Sequence, residues 1–200
     1  MKKISNHFQK QDSILYQAFK KHGPFEKIKP AKEKDYFPHL CREIIGQQLS
    51  GKVAEVIYGR FKALFPKGRI TSILTDKLIH EQIKNIGTSN AKTKYIKCLA
   101  EAVCKGSLKL TNLSKLSDEV VTKELTKVKG IGPWTAEMFL MFTLGREDIF
   151  SHGDLGLRRA IQKLYGFKQE PTRKQIEKLE KKWQPFSSYA CLVLWQSIDA

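Results

Sequence analysis

The sequence predicts an all-α protein, on three observations. Apolar residues recur at helical spacing in segment after segment, most of these segments stop at Gly or Pro, and alternating strand patterns are absent or very short. Residues 12–20 carry Ile14, Leu15, Ala18 and Phe19 on one face and stop at Gly23-Pro24. Residues 25–37 are punctuated by Lys and Pro and read as irregular. Pro38, a good first-turn residue, opens a second stripe through Leu40, Ile44, Ile45 and Leu49. A third, with Val53, Val56, Ile57, Phe61, Leu64 and Phe65, ends at Pro66. Shorter helices are expected over 76–85 and 90–104, stopped by Gly87 and Gly106. Ser117 is placed to cap a helix over 118–128, and further helices are expected over 134–144 and 155–165, each followed by Gly. Thr172 with Gln175 forms a capping box that opens a helix reaching Trp183, and Ser187 or Ser188 caps a last apolar helix through Ile198.

A chain of 200 residues suffices for one compact domain or two small lobes sharing a core. Its 41% hydrophobic and 28% charged residues are those of a globular chain. The 36 Lys and Arg against 20 Asp and Glu leave a formal charge of +16, which favours a polyanionic partner, nucleic acid above all. A Lys-biased composition would give the same excess, since 29 of the 36 are Lys. Cys41, Cys98, Cys104 and Cys191 are too scattered for a metal knuckle and read as small buried residues in a reducing compartment. Neither a signal-peptide h-region nor an apolar run long enough for a membrane span is present. The expectation is an intracellular soluble protein, cytoplasmic in a bacterium and nuclear in a eukaryote.

The most informative stretch is Lys129-Gly130-Ile131-Gly132-Pro133-Trp134. Glycines at i and i+2 between helices make a tight helix–hairpin–helix turn over 129–133, with Ile131 as its buried plug. Backbone N–H groups at the start of the second helix, backed by the helix dipole, suit a DNA phosphate. Alone, the pattern is equally that of an ordinary helix–helix turn. Twenty residues beyond Trp134 stands Asp154, within Phe150-Ser151-His152-Gly153-Asp154-Leu155-Gly156, where another helix begins. Asp154 is an apt N-cap, and an anion at a helix N-terminus can also stabilise a nearby cation.

Together these residues resemble the helix–hairpin–helix DNA glycosylases, in the 3-methyladenine glycosylase II branch. The resemblance takes in Ile44-Ile45-Gly46-Gln47-Gln48-Leu49-Ser50, the hairpin through Ala136, the Asp154 motif through Arg158-Arg159, and Trp183 to Ala190 with Trp195, spanning about residues 36–198. It implies two all-α lobes with the active site in the cleft between them, one lobe of about 40–150 including the hairpin and one of about 1–39 plus 151–200. It further implies a monomer that binds double-stranded DNA and flips a damaged base out of the stack. Asp154 is the implied catalytic carboxylate, stabilising the positive charge that builds on the sugar as the N-glycosidic bond breaks. Trp134, Trp195 and Met138 would line the base pocket, and indole rings favour cationic alkylated purines. Lys129, Gly130, Ile131 and Gly132 would hold phosphate, while Gln47 and Gln48 belong to the segment that fills the gap left by the flipped base.

Trp134 occupies the place where bifunctional relatives carry a Schiff-base lysine, so base excision should leave an intact abasic site. No metal, no iron–sulfur cluster and no other cofactor is implied. Met138 stands where some members have an aromatic residue, and Ser187 where an Arg is often found. His152 reads as a surface histidine beside a turn, and Trp183 as structural. Arg158 and Arg159 suit either phosphate or neighbouring acids. Two other functions fit the same residues: a glycosylase for hypoxanthine or ethenoadenine lesions, and a non-catalytic hairpin module that only binds DNA.

Overall fold

The computed structural model describes residues 1–199, with side chains through Ile198. Twelve α-helices and no strands are found among the described residues. They run α1 Lys2–Gln11, α2 Ser13–His22, α3 Tyr36–Gly46, α4 Gly51–Ala63, α5 Ser72–Lys77, α6 His80–Lys84, α7 Asn90–Cys104, α8 Asp118–Thr126, α9 Pro133–Phe142, α10 Leu155–Leu164, α11 Arg173–Trp183 and α12 Ser187–Asp199. The chain divides into two compact units, one of Met1–Lys29 with Gly145–Ala200 and the other Pro30–Leu144. These seams lie at 30 and 145, not near 40 and 150. Residues 30–39 join the second unit because Ala31 N–H donates to Thr143 O at 2.8 Å and Tyr36 packs edge-on against Phe139.

In the unit of α1, α2 and α10–α12, α12 packs on both α2 and α10, and α11 packs on α1 and α12. Leu15, Leu157, Ala160, Ile161, Trp183, Tyr189, Val193 and Leu194 are buried there. Helix α1 is absent from the sequence expectation. Its apolar stripe is thin, but Ile4 and Phe8 lie one turn apart and both are buried. Asp12, expected only as the start of α2, is also a buried junction. Its Oδ1 accepts the N–H of Leu15, while its Oδ2 accepts the Tyr165 hydroxyl at 2.8 Å and the Trp183 indole N–H at 3.1 Å. One carboxylate thus ties α2 to the end of α10 and to α11. Replacing it by Ala strands three donors in a dry site, each costing about 1–3 kcal/mol. We expect Asp12→Ala to destabilise the chain by about 3 kcal/mol or more in urea unfolding. A loss under about 1 kcal/mol would show that the junction is not structural.

In the unit of α3–α9, α3 packs on α4, α7 and α9, α5 and α6 lie on α7, and α8 pairs with α9. Ile44, Ile45, Phe61, Ile83, Ile96, Leu99, Val121, Leu125 and Phe139 form its core. The single helix expected over 76–85 is two, α5 and α6, broken where Leu78 and Ile79 adopt extended backbone. Among the cysteines Cys41 and Cys191 are buried, but Cys104 is exposed at the end of α7. No helix among the described residues is long and apolar enough to cross a membrane.

Candidate active site

The hairpin turns between α8 and α9. Gly130 has φ +97°, a conformation that side chains disfavour, and a Cβ there would lie 2.1 Å from Tyr95 Cγ on α7. Gly132 differs: its φ is −91°, it is the N-cap of α9, and a Cβ on it would meet nothing within 4 Å. Glycine at 130 is therefore a demand of the fold. At 132 the fold makes no such demand, and the missing side chain leaves the start of α9 open. Pro133 occupies the first helical position, where its lack of an N–H costs nothing. Ile131 is buried as expected of the plug, its N–H bonded to Val128 O at 3.0 Å, and Lys129 is exposed. On α9, Trp134 is partly exposed and Met138, one turn later, is 3% exposed.

Gln47 joins this hairpin directly. Its side-chain amide donates to Gly130 O at 2.9 Å and lies 3.0 Å from Thr135 Oγ1, so the loop after α3 and the turn before α9 are fastened together. The next residue, Gln48, is exposed and has φ +57°. Leu49, also exposed, stands beside it at the tip of the loop. Ser50 then caps α4.

In the other unit, Asp154 is the N-cap of α10. Its Oδ1 accepts the N–H of Leu157 at 2.9 Å and faces the indole N–H of Trp195 at 3.4 Å. Trp195 on α12 is partly exposed, so it is not simply a core residue. A residue whose part sequence reasoning missed lies between them. A Cβ on Gly156 would stand 3.0 Å from Asp154 Oδ1 and 3.6 Å from Trp195 Cδ1, so glycine there keeps room for the carboxylate beside the indole. The start of α12 braces the approach to this turn. The Ser187 hydroxyl donates to Asp148 at 2.5 Å, the Ser188 hydroxyl to Arg146 O at 2.7 Å, and the Ile149 N–H to Ser188 Oγ at 3.0 Å. Both serines thus work on residues 146–149.

His152 is half-buried, with its Nε2 3.0 Å from Glu180 Oε2 and its ring edge-on to Phe150. It is the histidine beside a turn that was expected, held there by Glu180. Arg158 pairs with Glu170, taking up the acid-pairing alternative. Burial raises the Glu180 carboxyl to about 7, helped by the charges of Asp148 and Glu177 and opposed by Arg173. Between the ordinary 4.5 and about 7 the folded chain holds more protons than the unfolded chain, so this group lowers stability as pH rises through that window. Glu180→Gln carries no such charge. We expect its melting temperature by calorimetry to exceed the wild type's at pH 8 and to match it at pH 4.5. The same difference at both values would contradict the assignment.

No group of three or more His, Cys, Asp or Glu side chains among the described residues is placed to hold a metal ion. What the two units offer is a fixed anion beside an indole in one, and in the other an open helix N-terminus beside a wedge-like loop. A Gly-Ile-Gly hairpin between two helices of an all-helical chain is that of a helix–hairpin–helix protein. The chain belongs to the HhH-GPD superfamily of base excision DNA repair proteins, whose family model matches residues 41–185. Within it the chain falls in the 3-methyladenine glycosylase branch.

It is 32% identical over 177 residues to the putative DNA-3-methyladenine glycosylase YfjP of Bacillus subtilis, covering 82% of this chain and 60% of that protein. Against DNA-3-methyladenine glycosylase 1 of Schizosaccharomyces pombe it is 30% identical, covering 88% and 78%. The solved structure of 3-methyladenine DNA glycosylase Mag1 from the same yeast, in complex with abasic DNA, superposes with a TM-score of 0.89 at 29% identity, covering 99% of this chain and 97% of that one.

Proposed function

We propose that this chain is a monofunctional DNA glycosylase that hydrolyses the N-glycosidic bond of alkylated purines in duplex DNA. The observation that carries the reading is Asp154, a carboxylate held at the start of α10 with one oxygen shared by the Leu157 N–H and facing the Trp195 indole. As the bond to the base lengthens, positive charge develops on the sugar, and a fixed anion stabilises that charge more than it stabilises the ground state. A purine methylated at N3 or N7 is itself cationic and leaves as a neutral base, so the leaving group needs no proton. The requirement is then for charge stabilisation and a positioned water, which fits a single carboxylate.

Trp195, facing Asp154, is a proposed wall of the base pocket, where an indole attracts a cationic ring by about 0.5–2 kcal/mol. Trp134 and Met138 on α9 are proposed base-contacting residues, and Lys129 to Gly132 with the N-terminus of α9 are proposed to hold a backbone phosphate. The missing Schiff-base lysine at Trp134 supports a purely hydrolytic reaction. The abasic DNA in the Mag1 complex supports DNA as the partner, and we infer that the chain acts as a monomer on duplex DNA inside the cell.

The test uses duplexes carrying a single 7-methylguanine, hypoxanthine or ethenoadenine, with strands examined before and after an abasic-site endonuclease and with borohydride present in a parallel reaction. The expected result is fastest release of 7-methylguanine, strands that stay whole until the endonuclease is added, and no borohydride-trapped protein. Trapped protein with spontaneous nicking would overturn the monofunctional assignment. Release of hypoxanthine or ethenoadenine alone would overturn the substrate class. Duplex binding with no release from any lesion would leave a non-catalytic hairpin module.

A further inference from the structure

Lys92 stands in the first turn of α7, three residues after the Ser89 cap, where the helix dipole disfavours a cation. Its ammonium turns away to the far end of α3. It donates to Ile45 O at 2.8 Å and to Gln47 O at 2.5 Å, carbonyls at and just past the C-terminal end of α3, where the helical bonding pattern runs out. The negative end of the α3 dipole lies there too, so the cation gains at α3 what it forgoes at α7. Burial lowers the pKa of Lys92, as befits an ammonium drawn out of water to serve carbonyls.

These carbonyls lie just before the residue that needs holding. Gln48, with φ +57°, is in the left-handed region, where a non-glycine residue persists only if its surroundings impose it. Lys92 grips the chain immediately before it, and Leu49 N–H closes on Gly46 O at 3.1 Å after it. One turn along α7, Tyr95 packs beneath Gly130, and Gln47 bonds that same glycine's carbonyl. A single helix therefore carries both the post that fixes the Gln48 loop and the floor of the hairpin.

We propose that Lys92 is a positioning residue for base flipping: by holding the carbonyls of Ile45 and Gln47 it presents the Gln48–Leu49 tip in the geometry that fills the gap left by the extruded base. It touches neither the base nor the sugar and acts through that tip. The inference rests on the glycosylase reading, because only an enzyme that empties a stack needs a filler. Its mark is dependence on how firmly the lesion is paired. A loose tip handicaps extrusion of a stacked, paired base and matters little when the base is already out.

The experiment compares wild type, Lys92→Met and Lys92→Arg in the full chain, each checked for an unchanged circular dichroism spectrum. Two readouts are taken. One is the fluorescence of 2-aminopurine stacked beside a stable abasic-site analogue in a duplex, which reports filling of the gap without chemistry. The other is the single-turnover release of 7-methylguanine from a normal pair and from a position opposite an abasic gap.

Lys92→Met is expected to lose the fluorescence change and to slow release from the paired lesion by about tenfold or more, as small misplacements do. Release from the unpaired lesion should stay near the wild-type rate, and Lys92→Arg should recover both readouts. Equal slowing on both substrates, or an unaltered fluorescence change in Lys92→Met, would overturn the proposal. Should the wild type release nothing, the glycosylase reading fails, and the fluorescence readout still decides the role of Lys92. A Lys92→Met chain that does not fold passes the decision to Lys92→Arg against Gln48→Gly, which frees the tip while leaving every other anchor. Selective slowing on the paired lesion by Gln48→Gly with full function in Lys92→Arg is the supporting result, and its absence the contrary one.

Discussion

Asp154→Asn is expected to lower single-turnover release of 7-methylguanine by at least about 10²–10³-fold, the loss typical of a removed electrostatic stabiliser. The exchange isolates charge from structure. Asn is as good an N-cap as Asp, so its side-chain oxygen can still accept the Leu157 N–H at the start of α10. The same oxygen can still face the Trp195 indole N–H. Volume is unchanged, and room beside Gly156 is preserved. The expected variant therefore melts with the wild type, binds duplex DNA with the wild-type affinity or better, and fails only in the step where positive charge develops. Loss of rate with a parallel loss of melting temperature would instead assign Asp154 to capping alone. Asp154→Ala is the useful companion, since it removes cap and charge together and is expected to lose about 1 kcal/mol of stability besides.

The second large effect is expected at Gly130. In Gly130→Ala the new methyl would lie 2.1 Å from Tyr95 Cγ and 2.4 Å from Tyr95 Cβ, and because Cβ is fixed to the backbone of α7 a rotamer change alone cannot relieve the overlap. The added strain of φ +97° compounds the overlap. Overpacking and backbone strain each cost about 1–3 kcal/mol, so the sum is about 3 kcal/mol and the expected fall in melting temperature roughly 6–12 °C. Because Gln47 bonds the Gly130 carbonyl, the damage extends to the Gln48 loop, and duplex affinity falls with it. Gly132→Ala is the control. With open space around that position and φ −91°, it costs only the poorer N-cap, about 1 kcal/mol, and any larger effect appears in DNA binding alone. Equal stability losses at the two glycines would contradict the division of labour described for them.

The helices and their caps were legible because their causes are local. Ser117, Asp154 and Thr172 each accept the N–H three residues on, as their positions before apolar stripes foretell. The catalytic role proposed for Asp154 asks for the same side chain at the same point as the cap does. The Gly-x-Gly pattern revealed a hairpin but not which glycine is strained, since that depends on Tyr95, which is 35 residues earlier in the chain. Asp12 shows the same limit. Its role as a cap to Leu15 is local, whereas its bonds to Tyr165 and Trp183 cross more than 150 residues and leave no trace in spacing. Lys92 was hidden among 29 lysines, and only the carbonyls it reaches distinguish it from a solvated surface charge. Helix α1 escaped notice because two buried residues in ten make too narrow a stripe to stand out from its polar surroundings.

Chromatography of the bases released from DNA carrying radiolabelled methyl groups tests the central claim most directly. Incubated with the wild-type chain, such DNA is expected to yield free 3-methyladenine and 7-methylguanine while its strands stay unbroken, and with Asp154→Asn to yield no more than the background loss. No free methylated base from wild-type protein that demonstrably binds the same duplex would contradict the account.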